Sequence, residues 1–291
     1  MSKYRIHIKA YSWHFFVLST LFTLIMCFFT STAIVELGEY EITVIEVLQI
    51  TTRQDRIDYH CSARSIIQRA ADNQWFSVVF PLIVSLPYIF TFFEEIESNM
   101  YRTALIRTTK RKYINRMFFG NAVFGAGAAT LGYSIFTAVI YILFPHTSEI
   151  LDYETGQPQV FFHQTLNTDS ELWATIVRLF TFFVFAVITA QLCLVLVLVF
   201  RNIFRGVGIP MVMFYMMDKI AYQTVTNLNQ TTFDEKNYRW FAMSPAILLG
   251  SIESWFYCFE ISLVWYYVIC AALLAILYFI CRFVCLERVM I

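Results

Sequence analysis

Five apolar runs dictate what this chain can become: Trp13 to Val35, Trp75 to Phe93, Met117 to Phe144, Ile176 to Phe200 and Ile261 to Cys281. A bilayer core needs about 20 apolar residues in helical form, because nothing in hydrocarbon can satisfy a backbone that does not bond to itself. Runs of this length and number predict an all-α polytopic membrane protein. A sixth run, about 206 to 225, is interrupted by Asp218 and Lys219. The segment MSPAILLGSIESWFYCF, residues 243 to 259, is apolar but begins with a proline and contains Glu253. It reads as a re-entrant or interfacial hairpin, a shape tolerated in a membrane only where protein or a water-filled cavity covers it.

Composition agrees with this reading. Of the 291 residues, 58% are hydrophobic and 14% charged, far from the balance of a soluble domain. The formal net charge is zero, which argues against nucleic acid as a partner. No internal repeat or Pro- or Gly/Ser-rich linker divides the chain, so residues 1–291 are expected to form a single transmembrane domain.

Charge placement supplies the orientation. Thirteen of the 21 basic residues fall at the N-terminus, in the 94–116 loop, at Arg201 and Arg205, and at Arg282 and Arg288. Lys and Arg in short loops mark the cytoplasmic side, so both termini are expected inside. Loops such as VELGEYEITVIE and FDEKN on the opposite face are acid-rich. The N-terminal Lys3, Arg5 and Lys9 superficially resemble a signal-peptide flank. However, the run that follows is longer than a signal core and no small-residue cleavage site closes it, so it is expected to stay as the first span. Within KYRIHIKAYSWH, Tyr4, Ile8 and Tyr11 recur at helical spacing, which suits a short interfacial helix as well as an ordinary basic flank.

Signals for catalysis are sparse. The chain has no GxSxG, HExxH or GxxxxGK[ST], and its histidines (His7, His14, His60, His146, His163) lack metal-ligand spacing. No cofactor or metal is expected on this chain. Seven cysteines form no CxxC pair. Cys61 and Cys258 both fall in segments expected outside, where a disulfide between them is one option. Asp218 and Lys219 have two readings: a polar patch in a translocation path, or a charge pair near the outer interface with Lys219 reaching toward water. Gln191, in the fourth span, suits an interhelical hydrogen bond or a polar contact in the path. Gly120, Gly125, Gly127, Ala128 and Gly132 in the third run would let helices approach closely.

The densest charge lies in FFEEIESNMYRTALIRTTKRKYINRMFF, where Glu94, Glu95 and Glu97 precede Arg102, Arg107, Lys110, Arg111, Lys112 and Arg116. This loop, the six-run layout with both termini inside, the basic N-terminal segment and SPAILLGSIESWF together resemble the permease subunits of type 2 ABC exporters. The resemblance implies six transmembrane helices, an N-terminal interface helix, a re-entrant segment before the last span and a cytoplasmic coupling loop at 94–116. It departs from the family at the turn, where Ser98 and Thr109 stand in place of glycine and proline. The family's ATPase-coupling role falls by resemblance on Glu94, Glu95, Glu97, Arg102, Arg107 and Arg111. ATP and Mg would sit on partner ATPase subunits, and a second permease copy or paralogue would complete the transporter in the cell membrane. The expected activity is export of an apolar or amphipathic cargo, best matched by a membrane-active peptide, by a non-catalytic subunit. Two other classes stay open: a membrane enzyme or sensor acting through external loops, for which His60, Asp55 and Asp58 are the only support, and an ion-coupled carrier, which lacks charges in the middle of the spans.

Overall fold

The computed structural model describes residues 2–35, 40–58, 61–97, 109–146, 149, 171–228, 243–250 and 262–284. Helix α1 runs unbroken over Ser2–Thr30, a stretch without glycine or proline. The N-terminal segment therefore continues the first apolar helix instead of forming a separate interfacial one. The helix also ends earlier than the apolar run: β1 (Thr32–Val35) pairs antiparallel with β2 (Tyr40–Thr43), in the register Thr32 opposite Thr43. The described residues are thus mainly helical, with one small hairpin among them. Thr30, Thr32, Ile34 and Val35 explain the switch, since crowded β-branched side chains favour the extended chain.

A layer of short helices follows: α2 (Val44–Ile50), α3 (Arg53–Asp58) and α4 (Ala63–Ala71). Local sequence starts each one. Thr43 and Glu46 form a capping box on α2, Thr52 and Asp55 repeat the arrangement on α3, and the Ser62 hydroxyl caps α4. Ala63, Ile66, Ile67 and Ala70 recur at i, i+3, i+4 and i+7, and all four are buried.

The second apolar run is two helices, α5 (Gln74–Ser85) and α6 (Ile89–Glu97), separated by a turn. Pro87 breaks it, because proline has no N–H to give the Ile83 carbonyl. That carbonyl accepts instead from Ser19 Oγ of α1, at 2.8 Å.

Helix α7 (Lys110–Leu143) includes a π-helical stretch at Ala122–Ala126. Then come α8 (Glu171–Phe200), α9 (Ile203–Leu228), the short α10 (Pro245–Gly250) and α11 (Leu263–Val284). Among the described residues four helices are long and apolar enough to cross a membrane: α1 through Trp13–Thr30, α7, α8 and α11. The run at 206–225 forms α9 and the run at 75–93 forms the broken α5–α6 pair; neither is among these four.

Helix α7 runs antiparallel to both α8 and α11. Asn121 of α7 bonds Ala190 of α8 while Tyr141 meets Thr175. Tyr278 of α11 bonds Asn115 at 2.7 Å, and Tyr267 meets Thr181. One end therefore collects Lys110, Arg111, Lys112, Arg116, Arg201, Arg205 and Arg282, all exposed. The other end carries the hairpin and α2–α4.

Polarity on α1 is reversed relative to a helix of a soluble protein. On α1, Ser19, Thr20, Thr23 and Thr30 are buried while Val17, Leu18, Leu21, Ile25 and Phe29 are exposed. Outward apolar and inward small polar residues are what a lipid surround selects, since inward hydroxyls can bond neighbouring backbones. Thr20 Oγ1 donates to Ala128 O at 3.2 Å, and Thr30 Oγ1 to Ala70 O at 2.9 Å.

Glycine sets the closest contacts. A Cβ on Gly132 would lie 2.5 Å from Thr20 O, and one on Gly125 would lie 2.4 Å from Val84 O. The small residues of the third run therefore let α7 press on α1 and α5. The α8–α9 turn is equally tight: Arg201 adopts φ 50, Asn202 Oδ1 accepts from Arg205 N, and a Cβ on Gly206 would overlap Val197.

Candidate functional sites within and at the end of the bundle

Three places carry the residues singled out in the sequence. The first is the basic end. Helix α6 leaves the bundle with Glu94 exposed, and α7 returns with Lys110, Arg111, Lys112 and Arg116 exposed. Acid on the outgoing leg and base on the returning leg give a dipolar edge suited to a charged soluble surface. Glu95 and Glu97 belong to the same helix, but their side chains lie outside the described residues. Arg102 and Arg107 also lie outside the described residues.

The second place is the α7–α8 seam. Gln191 Nε2 donates to Phe118 O and Asn121 Nδ2 donates to Ala190 O, both at 2.8 Å. Each amide reaches across to the other helix's backbone, and both side chains are fully buried. This is the interhelical role open to Gln191. It falls at the start of the π-helical stretch, where i→i+5 spacing disturbs the regular carbonyl pairing. Asn121, directly after Gly120, was not among the residues singled out in the sequence. Its signal is an amide inside an otherwise apolar run.

The third place surrounds Asp218. The sequence left open an interfacial charge pair, and the structure separates the two residues. Lys219 is exposed, with Nζ 5.8 Å above the Tyr215 ring. Asp218 is 0% exposed. Its Oδ1 accepts from Ser244 Oγ and, at 3.2 Å, from Ala246 N; its Oδ2 meets Ser77 Oγ. Asp218 of α9 thus joins α5 to the first turn of α10. Ser244 stands before Pro245, the residue best suited to a first helical position, and the carboxyl receives an N–H that the helix itself cannot satisfy. At its far end α10 is held as closely: a Cβ on Gly250 would sit 2.4 Å from Asp72 N at the end of α4. Within the segment expected to be re-entrant, Pro245–Gly250 is a buried helix; residues 251–259 lie outside the described residues.

A further polar cluster, not anticipated from the sequence, lies at the capped end. Tyr141 OH and Thr175 Oγ1 are 2.7 Å apart, and His146 Nδ1 is 3.5 Å from Glu171 Oε2. Arg64 and Arg178 stand near the Tyr141 hydroxyl. Arg178 is 7% exposed in α8. Its helix begins at Glu171, and Arg178 is the third residue of the run at 176–200, one charge among apolar neighbours. Arg56 is buried as well, its guanidinium over the Phe144 ring and bonded to Leu143 O. Burial pushes the neighbouring Cys61 thiol up, against the pull of the Arg56 and Arg69 guanidiniums, which leaves it protonated and inert. Its candidate partner Cys258 lies outside the described residues.

Among the described residues no group of three His, Cys, Asp or Glu side chains is arranged to hold a metal ion. His60 lies outside the described residues, while Asp55 and Asp58 cap and flank α3. No family model, curated protein or solved structure matches the chain.

Proposed function

We propose that the chain is the membrane-spanning subunit of an ATP-driven exporter of the type 2 ABC class. The observation that carries this reading is the charged pair of helix ends at the basic end of the bundle. Glu94 leaves on α6, and Lys110, Arg111, Lys112 and Arg116 return on α7, all exposed and continuous with helices that enter the apolar body. Force applied to such an element by a soluble partner passes directly into α5 and α7.

In this reading the broken α5–α6 pair and α9 cross the membrane along with the four long helices, making six spans with both termini cytoplasmic. Residues 243–259 form the re-entrant segment. Glu94, Glu95, Glu97, Arg102, Arg107 and Arg111 contact ATPase subunits that bind ATP and Mg, and a second permease copy or paralogue completes the assembly in the cell membrane. The cargo is apolar or amphipathic, with a membrane-active peptide the best match to aromatic-rich spans. This subunit carries no chemistry of its own.

Co-purification of the tagged chain tests the reading. A soluble ATPase with a GxxxxGK[ST] loop should accompany the wild type, and its hydrolysis should respond to the permease. Combined Glu94→Ala and Glu95→Ala should abolish that response while the protein still inserts in the membrane. Purification without any ATPase, or a response unchanged in the double variant, would refute the coupling role.

A further inference from the structure

Asp218 is fully buried, and only neutral donors meet its carboxyl. Oδ1 has two donors, Ser244 Oγ–H and Ala246 N–H. Oδ2 faces only Ser77 Oγ. That hydroxyl has a single proton and a second acceptor within reach, Gln74 O at 3.0 Å.

Among the described residues no cation compensates a charge on Asp218. No titratable residue lies on α5 or α10. On α9 itself, Lys219 is exposed above Tyr215. Arg64, Arg69 and Asp72 lie on or beside α4, and Arg178 on α8, the other elements packed against this node. Asp218 is ion-paired to none of these among the described residues. An uncompensated carboxylate buried inside a membrane bundle is costly, and neutralisation by a proton is the usual resolution.

We infer that Asp218 is a proton-binding site inside the bundle, held as the neutral acid with Oδ2–H donating to Ser77 Oγ and Ser77 Oγ–H donating to Gln74 O. Every hydrogen in the node then has one acceptor. The site ties three elements together: α5 through Ser77, α9 through Asp218 and the first turn of α10 through Ser244 and Ala246. Removing the proton turns the Ser77 hydroxyl from Gln74 O to Oδ2 and leaves a buried charge held by three donors, with no cation beside it among the described residues. The inference is independent of the exporter reading, because it concerns the protonation of one side chain and needs no partner or cargo.

Infrared difference spectroscopy on the purified full chain in lipid vesicles tests it. At neutral pH the wild type should show a carboxylic-acid C=O stretch that Asp218→Asn removes and Ser77→Ala shifts to higher frequency. Raising the pH should convert this band into a carboxylate band. Asp218→Asn preserves the donor and acceptor pattern of the neutral acid and should keep the wild-type melting temperature. No acid band lost in Asp218→Asn, a band insensitive to Ser77→Ala, or failure of Asp218→Asn to fold would each overturn the inference.

Discussion

Two glycine-to-alanine changes should move stability in opposite directions, and their coordinates show why. A Cβ at position 132 would stand 2.5 Å from Thr20 O and 2.7 Å from Thr23 Cβ, both on α1. Ordinary contact begins at 3.4 Å, so α1 and α7 would have to separate by about 0.9 Å. Neither obstacle is a flexible side-chain tip; one is backbone and the other is a branched carbon fixed to it. Overpacking of this kind costs about 1–3 kcal/mol. The Thr20 Oγ1 bond to Ala128 O, already 3.2 Å long, would weaken too, at about 0.6 kcal/mol for a typical interhelical bond in a membrane protein. Against this, alanine in a helix regains about 0.5–1 kcal/mol over glycine. The net expectation for Gly132→Ala is a loss of about 1–2 kcal/mol. At Gly208, in α9, nothing lies within 4 Å of the new Cβ, so only the gain remains. Thermal unfolding in a mild detergent, followed by near-ultraviolet circular dichroism, should place Gly132→Ala below wild type and Gly208→Ala at or above it. The reverse order would refute the claim that backbone contact between α1 and α7 depends on a missing side chain.

Restoring an N–H with Pro87→Ala should allow the Ile83 carbonyl to bond within its own helix, so Ser19→Ala should cost less in that background than in wild type. A double-mutant cycle on melting temperature reads the coupling, and a coupling of zero would show that Ser19 does not substitute for the missing donor. At the capped end, hydrogen bonds from the Thr52 hydroxyl and N–H hold the Asp55 carboxyl below the usual carboxylate range. A carboxyl with a depressed folded value stabilises above its unfolded value and loses that contribution as pH falls through the folded one. Hydrogen-exchange protection of the first turn of α3, corrected for the intrinsic pH dependence of amide exchange, should therefore fall on acidification in wild type, while Asp55→Asn should show a flatter profile.

Much of the architecture was written in runs and periods. The presence of α1, α7, α8 and α11 as helices of membrane length follows from long apolar sequence, and the basic end follows from the clustering of Lys and Arg. The capping boxes at Thr43 and Glu46 and at Thr52 and Asp55 are equally local, which makes them readable one turn at a time. What eluded the sequence depends on which residues meet. Ser77 and Ser244 are ordinary serines until Asp218, over 140 positions from the first, closes on both. Arg178 falls inside the 176–200 run, but hydropathy averaged over a long apolar stretch does not register one charge near its edge. The early end of α1 was missed for a related reason: Thr32–Val35 is apolar enough to extend a span, yet its β-branched crowding favours a strand.

The way the short helices attach to the bundle also constrains how the protein is assembled. The Arg56 guanidinium bonds Leu143 O, Ala63 N bonds Pro145 O, and Tyr133 OH bonds Ile67 O. Residues 53–71 emerge from the ribosome long before 133–145, so their partners are missing when α3 and α4 are first delivered. The layer must wait, unsealed, until α7 has been inserted. Its closure is then a record that the third apolar segment took the correct orientation, and an inverted α7 would leave Arg56 and the start of α4 without carbonyls to meet.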